Sequence, residues 1–340
     1  MAINLLGLQP HKVSRDLRGY SVFIYGDPKT GKTTIASQFP EALLLGFEKG
    51  WAAIDGIMVQ PINTWSEFKQ TLRELKKEEV KKTFSTIVID TADIAYDYCI
   101  QYICNNAKRP DGGFGVDKIG DIPYGQGFGM VEKEFDECLR SIVQMGYGIV
   151  IISHAIDKTY TDVNGADYSQ IGPTLDKRGA KVVSRMTDII GYARAITNEE
   201  GVTSTKLFLR GTPRYVAGSR FKYTPECIDF DYQSLVTAIA EAIDKQAAAH
   251  GSTNFTNERQ NLEMTTKTEL NFEELMGKFN KIVNDLINKY DEETFQTVWQ
   301  PKLTTIIEKY LGKGNKVNNC TSAQVEAISL IVGDLEELDK

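Results

Sequence analysis

Cross-linking and metal-caging residues are scarce in this chain, which has five cysteines and three histidines among 340 residues. The cysteines (Cys99, Cys104, Cys138, Cys227 and Cys320) are odd in number, scattered and without a C-x-x-C pair. That pattern excludes a disulfide framework and a zinc site built on paired thiols. Long apolar runs are missing as well, since no uninterrupted segment approaches the ~20 residues of a membrane helix. The start "MAINLLGLQPHKVSRDLRGY" has no basic stretch followed by a sustained apolar core, so a cytoplasmic protein with no membrane partner is expected. Positive charge is not in excess either. A formal net charge of −7 argues against coating nucleic acid by bulk charge, and leaves a local basic channel open.

What is present is the composition of an ordinary globular protein, 41% hydrophobic and 25% charged, long enough for one large domain and a smaller one. The most informative stretch is "GDPKTGKTT", residues 26–34, after the apolar run "SVFIYG". It fits G-x-x-x-x-G-K-[ST] through Gly26, Asp27, Pro28, Lys29, Thr30, Gly31, Lys32 and Thr33, with Thr34 following. Glycines let such a loop curl so that successive N–H groups face phosphate oxygens. Lys32 would reach the β- and γ-phosphates, and the Thr33 hydroxyl would ligate Mg²⁺. The pattern would arise by accident in about one chain in a hundred of this length, and a strand before it with a short helix after it lowers that figure further.

Along the chain, apolar β-branched strands alternate with helical patterns. Strands are expected at residues 20–25, at 42–46, in "GIMVQPI", at 86–90 and in "YGIVIISH". Helices are expected over residues 64–82, 94–107 and 131–145. Residues 108–129 read as a glycine-rich loop. This succession predicts an α/β fold with a mostly parallel sheet and helices on both faces. After His154 the pattern changes: Asn164-Gly165 marks a hairpin, followed by further strands and a closing helix in "DFDYQSLVTAIAEAIDKQAAA". The expected organisation is a core over residues 1–246 behind a polar lead-in of 18 residues, a linker over 247–268, and a small all-helical domain over 269–340.

Phosphate chemistry needs more than a loop. Asp90, ending "TIVID", is the natural second anchor for Mg²⁺. The residue after it is Thr91, not a glutamate, so the base that activates water must come from elsewhere. Glu48, at the end of "LLLGFE" on the strand after the loop helix, is the candidate for that role, with an exposed loop carboxylate as its alternative. Ends of parallel strands gather at one sheet edge, where these groups can meet. His154, ending the third apolar strand, is a candidate sensor of the γ-phosphate, with a purely structural histidine as its alternative.

Taken together, Gly26 to Thr33, Glu48, "TIVIDT", "IVIISHAIDK" and "AGSRFKYTPECIDFDYQSL" resemble the phage-type, RecA-like P-loop ATPases with an AAA-type nucleotide-binding core. That group includes single-strand annealing recombinases. The resemblance spans about residues 15–245. It implies a RecA-like core, ATP and Mg²⁺, side-by-side assembly into an oligomer on single-stranded DNA, and annealing or strand exchange. It also implies a trans-acting cation reaching a neighbour's nucleotide, for which Arg220 and Lys222 are the candidates, each with a sheet-edge role as the alternative. The hairpin and the C-terminal helices depart from RecA. For DNA contact the candidates are residues 108–129 and a segment with Lys158, Tyr160, Tyr168, Lys177, Arg178 and Lys181, in which cations interleave with tyrosines. The C-terminal helices would recruit a single-strand binding protein or dimerise.

Two other functions compete. One is an ATP-switched loader that remodels a protein partner through the C-terminal helices without touching DNA. The other is a small-molecule kinase, disfavoured because no Arg-rich lid stands out.

Overall fold

The computed structural model describes residues 10–109, 111–162, 164–251, 254–259 and 271–338. The chain divides into two compact units on either side of residue 264.

In the first unit the strands are β1 (Val13–Ser14), β2 (Ser21–Gly26), β3 (Ala42–Gly46), β4 (Met58–Pro61), β5 (Thr86–Asp90), β6 (Gly148–Thr161) and β7 (Asp167–Pro173). They continue with β8 (Ile189–Thr197), β9 (Thr203–Phe208), β10 (Gly218–Ser219), β11 (Cys227–Asp229) and β12 (Phe255–Thr256). The helices are α1 (Lys32–Ser37), α2 (Trp65–Glu74), α3 (Glu78–Thr83), α4 (Ala92–Asn106), α5 (Gln126–Gln144), α6 (Lys177–Met186) and α7 (Tyr232–His250).

The main sheet runs β11-β9-β8-β2-β6-β5-β3-β4. From β4 across to β8 every pair is parallel, and β9 runs antiparallel to β8. Alternating side chains of one strand feed two cores, as the period-2 geometry of a strand requires. Phe23 and Tyr25 face Trp65, Phe68, Phe135 and Val183 on one side. Val22 and Ile24 face Ile35, Phe39, Leu235 and Ile239 on the other. The result is the expected α/β fold of the P-loop type, a parallel sheet between two helical layers.

Register decides what gathers at the carboxyl edge. Gly26 pairs with His154 across β2–β6, and Gly46 with Asp90 across β3–β5. The β6 strand lies between the loop strand and the Asp90 strand, so His154, where β6 leaves the core sheet, falls between the loop and the carboxylate.

Several elements differ from the sequence reading. The helix expected over residues 64–82 is two, α2 and α3, because the Tyr147 hydroxyl donates to the Leu75 carbonyl at 2.8 Å and ends the first. Helix α5 starts at Gln126, where Gly127 lets the turn pack against the Ile119 carbonyl; a Cβ there would lie 2.6 Å from that oxygen. Short 3₁₀ turns at Ile119–Asp121 and Pro123–Gly125 occupy part of the expected loop. The β6 strand continues past His154 to Thr161 and folds back as β7. Its turn contains Gly165 at φ 81°, and the Asp162 carboxylate accepts from the N–H groups of Asn164 and Ala166.

The lead-in and linker also need correcting. Val13 and Ser14 pair in parallel with Phe255 and Thr256, which joins both segments to the first unit. Ser14 is buried, its Oγ donating to the Glu258 carbonyl at 2.7 Å. Helix α7 runs on to His250, so the boundary at residue 246 falls inside a helix. Residues 1–9, 252–253 and 260–268 of these two segments lie outside the described residues.

The second unit is helical: Phe272–Lys289, Gln300–Leu311 and Val325–Leu338 pack around Leu275, Phe279, Leu286, Leu303, Ile328 and Ile331. Asn271 caps the first helix by accepting from the N–H groups of Glu273 and Glu274.

Candidate active site at the strand tips

The loop between β2 and α1 curls through two left-handed residues, Lys29 at φ 66° and Gly31 at φ 92°. Such alternation makes a concave nest of N–H groups suited to an anion, and the first N–H groups of α1 have no partners within their own helix. Gly26 is required for a second reason. A Cβ there would lie 2.4 Å from the Ala193 carbonyl of β8.

Lys32 is buried, and its Nζ donates to the carbonyls of Gly26 at 3.0 Å and Asp27 at 2.7 Å. Burial lowers its pKa, against the pull of Asp90, Glu48, Asp27 and Asp93. Thr30 Oγ1 donates to the Asp27 carbonyl at 2.9 Å and braces the loop. Thr33 Oγ1 donates to Asp90 Oδ2 at 2.8 Å.

The end of β3 is tied to the end of β5, since the N–H groups of Phe47 and Glu48 both donate to the Asp90 carbonyl, at 2.7 and 3.3 Å. This fixes Glu48 beside the Asp90 side chain. From the other side His154 Nε2 stands 3.7 Å from Glu48 Oε2, an ion pair when the imidazole is protonated. Burial pushes the Asp90 carboxyl from 3.8 up to about 6; Glu48 adds to the rise, while the Thr33 hydroxyl, Lys32 and His154 oppose it.

Pro28, Lys29, Gly31, Lys32, Thr33 and Thr34 line one cavity of about 370 Å³ together with Glu48, Gly50, Asp90, Thr91 and His154. Within it, among the described residues, Asp90 Oδ1, Thr91 Oγ1 and His154 Nδ1 are buried without a hydrogen-bond partner. A Cβ on Gly50 would stand within 3.5–3.8 Å of Glu48 Oε1, Thr33 Oγ1 and Asp90 Oδ2. Orphaned oxygens beside a carboxylate and a hydroxyl are a hard-oxygen donor set that suits Mg²⁺, a cation that commonly takes one or two protein ligands and completes its shell with water and phosphate. No group of three or more acidic, histidine or cysteine ligands exists among the described residues.

A model of the family described as "AAA domain" matches residues 18–221. The chain belongs to the AAA domain family. The match takes in the loop, Glu48, Asp90 and His154, so this AAA domain carries its P-loop ATPase core at the strand tips just described. Over 346 aligned residues it is 31% identical to the SPbeta prophage-derived uncharacterized protein YorG of Bacillus subtilis strain 168, with 99% of each chain covered. A KaiC-like protein of Pyrococcus horikoshii OT3 superposes with a TM-score of 0.37 at 11% identity, covering 65% of this chain and 94% of the other.

The remaining candidates lie away from the cavity of the AAA domain. Arg220 donates to Asp188 Oδ1 at 3.0 Å and to the Arg185 carbonyl at 2.9 Å. Asp188 immediately precedes β8 and accepts from the Ser21 N–H at the start of β2, so Arg220 sits at the opposite edge of the sheet from the loop. Lys222 Nζ lies 5.4 Å from the centre of the Tyr223 ring.

The DNA candidates do come together. Lys158, Tyr160, Lys177 and Lys181 line a groove of about 610 Å³ between the β6–β7 hairpin and α6. The rings of Tyr160 and Tyr168 stack at 5.7 Å, each residue more than 40% exposed. Glu132 accepts from Lys181 at 3.1 Å and stands 3.7 Å from Arg178, which offsets part of that charge.

Sequence reasoning missed Asp93 and Gly50. Asp93 reads as a helix-start acid, and only the third dimension shows which donors it gathers. Gly50 reads as loop punctuation, and nothing in the sequence places it beside Thr33.

Proposed function

We propose that this chain is a Mg²⁺-dependent ATP hydrolase that acts on single-stranded DNA in phage recombination or replication, assembling side by side into an oligomer. One observation carries the hydrolase half: Lys32 and Thr33 from the first turn of α1, Glu48 from just after β3, Asp90 from the end of β5 and His154 from β6 share one cavity. In this reading the curled loop and Lys32 hold the β- and γ-phosphates. Thr33 and Asp90 hold Mg²⁺, whose positive charge offsets that of the phosphate oxygens. Glu48 accepts a proton from the attacking water, and His154 senses the γ-phosphate from the point where β6 leaves the core sheet.

The DNA half is supported by the groove beside the hairpin, where lysines stand next to a stacked tyrosine pair in an otherwise acidic protein. Phosphates need the cations, and unpaired bases can stack on the rings. In the oligomer Arg220 or Lys222 would reach the neighbour's nucleotide; Arg220 would first have to leave Asp188. The helical C-terminal unit would recruit a partner such as a single-strand binding protein.

ATP turnover, measured with and without a single-stranded oligonucleotide across a salt series, tests both halves. Turnover raised by DNA at low salt and less so at high salt is the expected result. No turnover under any condition overturns the hydrolase half. Turnover indifferent to DNA but stimulated by a protein favours the loader.

A further inference from the structure

We infer that Asp93 is a positioning residue that holds His154 against Glu48 and ties the nucleotide cavity to the β6–β7 hairpin. This rests on the nucleotide reading above and adds the element that passes the state of the cavity outward. Three donors converge on the one carboxylate. Ser153 Oγ donates to Oδ1 at 2.9 Å, Thr174 Oγ1 donates to Oδ1 at 2.6 Å, and the His154 N–H donates to Oδ2 at 3.2 Å.

The place where they meet is a junction in the sheet. Up to Gly26↔His154, β6 is a core strand paired with β2, and up to Ile151 it pairs with β5 as well. From Ala155↔Pro173 outward its partner is β7 alone. Thr174 directly follows β7, and its N–H donates to the His154 carbonyl at 2.9 Å. Asp93 therefore grips both strands of the hairpin where they leave the core. The same short stretch of chain carries Asp90 at the cavity, because α4 begins two residues after it.

An ionised carboxylate only accepts, so all three contacts are of one kind and depend on its position. Ser153 is fully buried, and its hydroxyl and that of Thr174 also reach the His154 carbonyl, at 3.2 and 3.3 Å, so both hydroxyls are shared between Asp93 and the peptide where the hairpin leaves the core. A shift of His154 toward or away from a γ-phosphate moves its own N–H on Asp93. Asp93 must then repartner Thr174 and, through it, the base of β7. The groove residues Lys158 and Tyr160 lie four and six positions beyond His154 on the same strand. By this route the hairpin takes up two arrangements set by the nucleotide.

Hydrogen exchange of residues 155–173 in the full chain reads this directly, with Mg²⁺ and a non-hydrolysable ATP analogue present or absent. In the wild type the analogue is expected to change hairpin exchange by about threefold or more. Asp93→Asn keeps analogue affinity within about twofold and KM for ATP within about twofold, lowers kcat by about tenfold, and abolishes the exchange difference. A purely structural Asp93 would raise hairpin exchange equally in both states and leave the difference in place. Thr174→Val removes the side-chain link of β7 to Asp93 while leaving Ser153 and His154 on it, and is expected to at least halve the difference without lost affinity; it decides the matter should Asp93→Asn not fold. A hairpin responding normally in the variants, or unresponsive in a wild type that binds the analogue, overturns this inference alone. A wild type that binds no analogue overturns the nucleotide reading and this inference with it.

Discussion

Thr33 and Asp90, 57 residues apart in the chain, are joined by a 2.8 Å hydrogen bond from the threonine hydroxyl to carboxylate Oδ2. One belongs to the first turn of α1 and the other ends β5, so this bond closes the cavity across the sheet edge. It leaves Asp90 Oδ1 buried without a partner among the described residues. An arrangement with an unmet acceptor beside Glu48 is one that binding a cation would relieve.

Asp90→Asn should separate stability from function. The carboxyl titrates near 6 in the fold against 3.8 otherwise, so the folded state holds this proton more tightly than the unfolded chain. Its contribution to stability is complete below about pH 3.8 and is lost as pH rises through about 6. At pH 8 without Mg²⁺ the variant should therefore be more stable than the wild type, by on the order of 3 kcal/mol, with the gain gone by pH 4. Thermal melts at both pH values check this, and Mg²⁺-dependent nucleotide binding should be lost. A variant less stable than wild type at pH 8 would contradict the burial argument.

Mg²⁺ affinity should fall with acidity for the same reason. Below about pH 6 the empty site holds a proton on Asp90, and the metal must displace it. Titrating Mg²⁺ in the presence of an ATP analogue between pH 5 and 8 should show weakening toward the acid end of about tenfold per pH unit below 6. A flat profile would place the metal elsewhere.

Glu48→Gln should preserve binding and stop hydrolysis. The amide keeps the shape and the Asp90 carbonyl tether, which involves only the Glu48 main chain, but cannot take a proton. Analogue affinity should stay within about twofold while kcat falls by about 10²–10⁴. Unchanged turnover in single-cycle kinetics would remove Glu48 from the base role.

Lys32→Ala should act earlier in the cycle. Among the described residues the Nζ donates to two loop carbonyls and would be redirected to phosphate, so its loss should lower nucleotide affinity by about a hundredfold or more by removing a charge-assisted contact in a low-dielectric cavity. Isothermal titration with Mg²⁺ and an ATP analogue reads this out.

On the groove, Lys158→Ala, Lys177→Ala and Lys181→Ala should each reduce the slope of log affinity against log salt for an oligonucleotide by about 0.7. Tyr160→Ala should lower affinity by about 1–3 kcal/mol with the slope unchanged, since stacking carries no counterion. Lys181 is partly spent on Glu132, so its effect should be the smallest of the three lysines. Fluorescence anisotropy over a salt series distinguishes these patterns.

Much of the site was legible because its spacing is local or lies at strand ends. The loop from Gly26 to Thr33 is contiguous, and Asp90, Glu48 and His154 each close a short apolar run of the kind that makes a buried parallel strand. What the sequence could not disclose depends on distant partners. The break between α2 and α3 needs the hydroxyl of Tyr147, and the order of Val13 and Ser14 needs Phe255 and Thr256, far along the chain. The burial of Ser153 and Asp90 gives no local signal. Arg220 shows the converse: a cation in a suggestive segment turns out to be held by Asp188 at the far edge of the sheet.

Gly26 sits against β8 so closely that no larger residue fits, whatever occupies the loop. A descendant of this chain that abandoned nucleotides altogether would still be compelled to retain it. The first letter of the signature is thus a poor witness to surviving catalysis, whereas Lys32, bonded among the described residues to carbonyls that ask for no lysine in particular, is free to drift once selection for turnover ends.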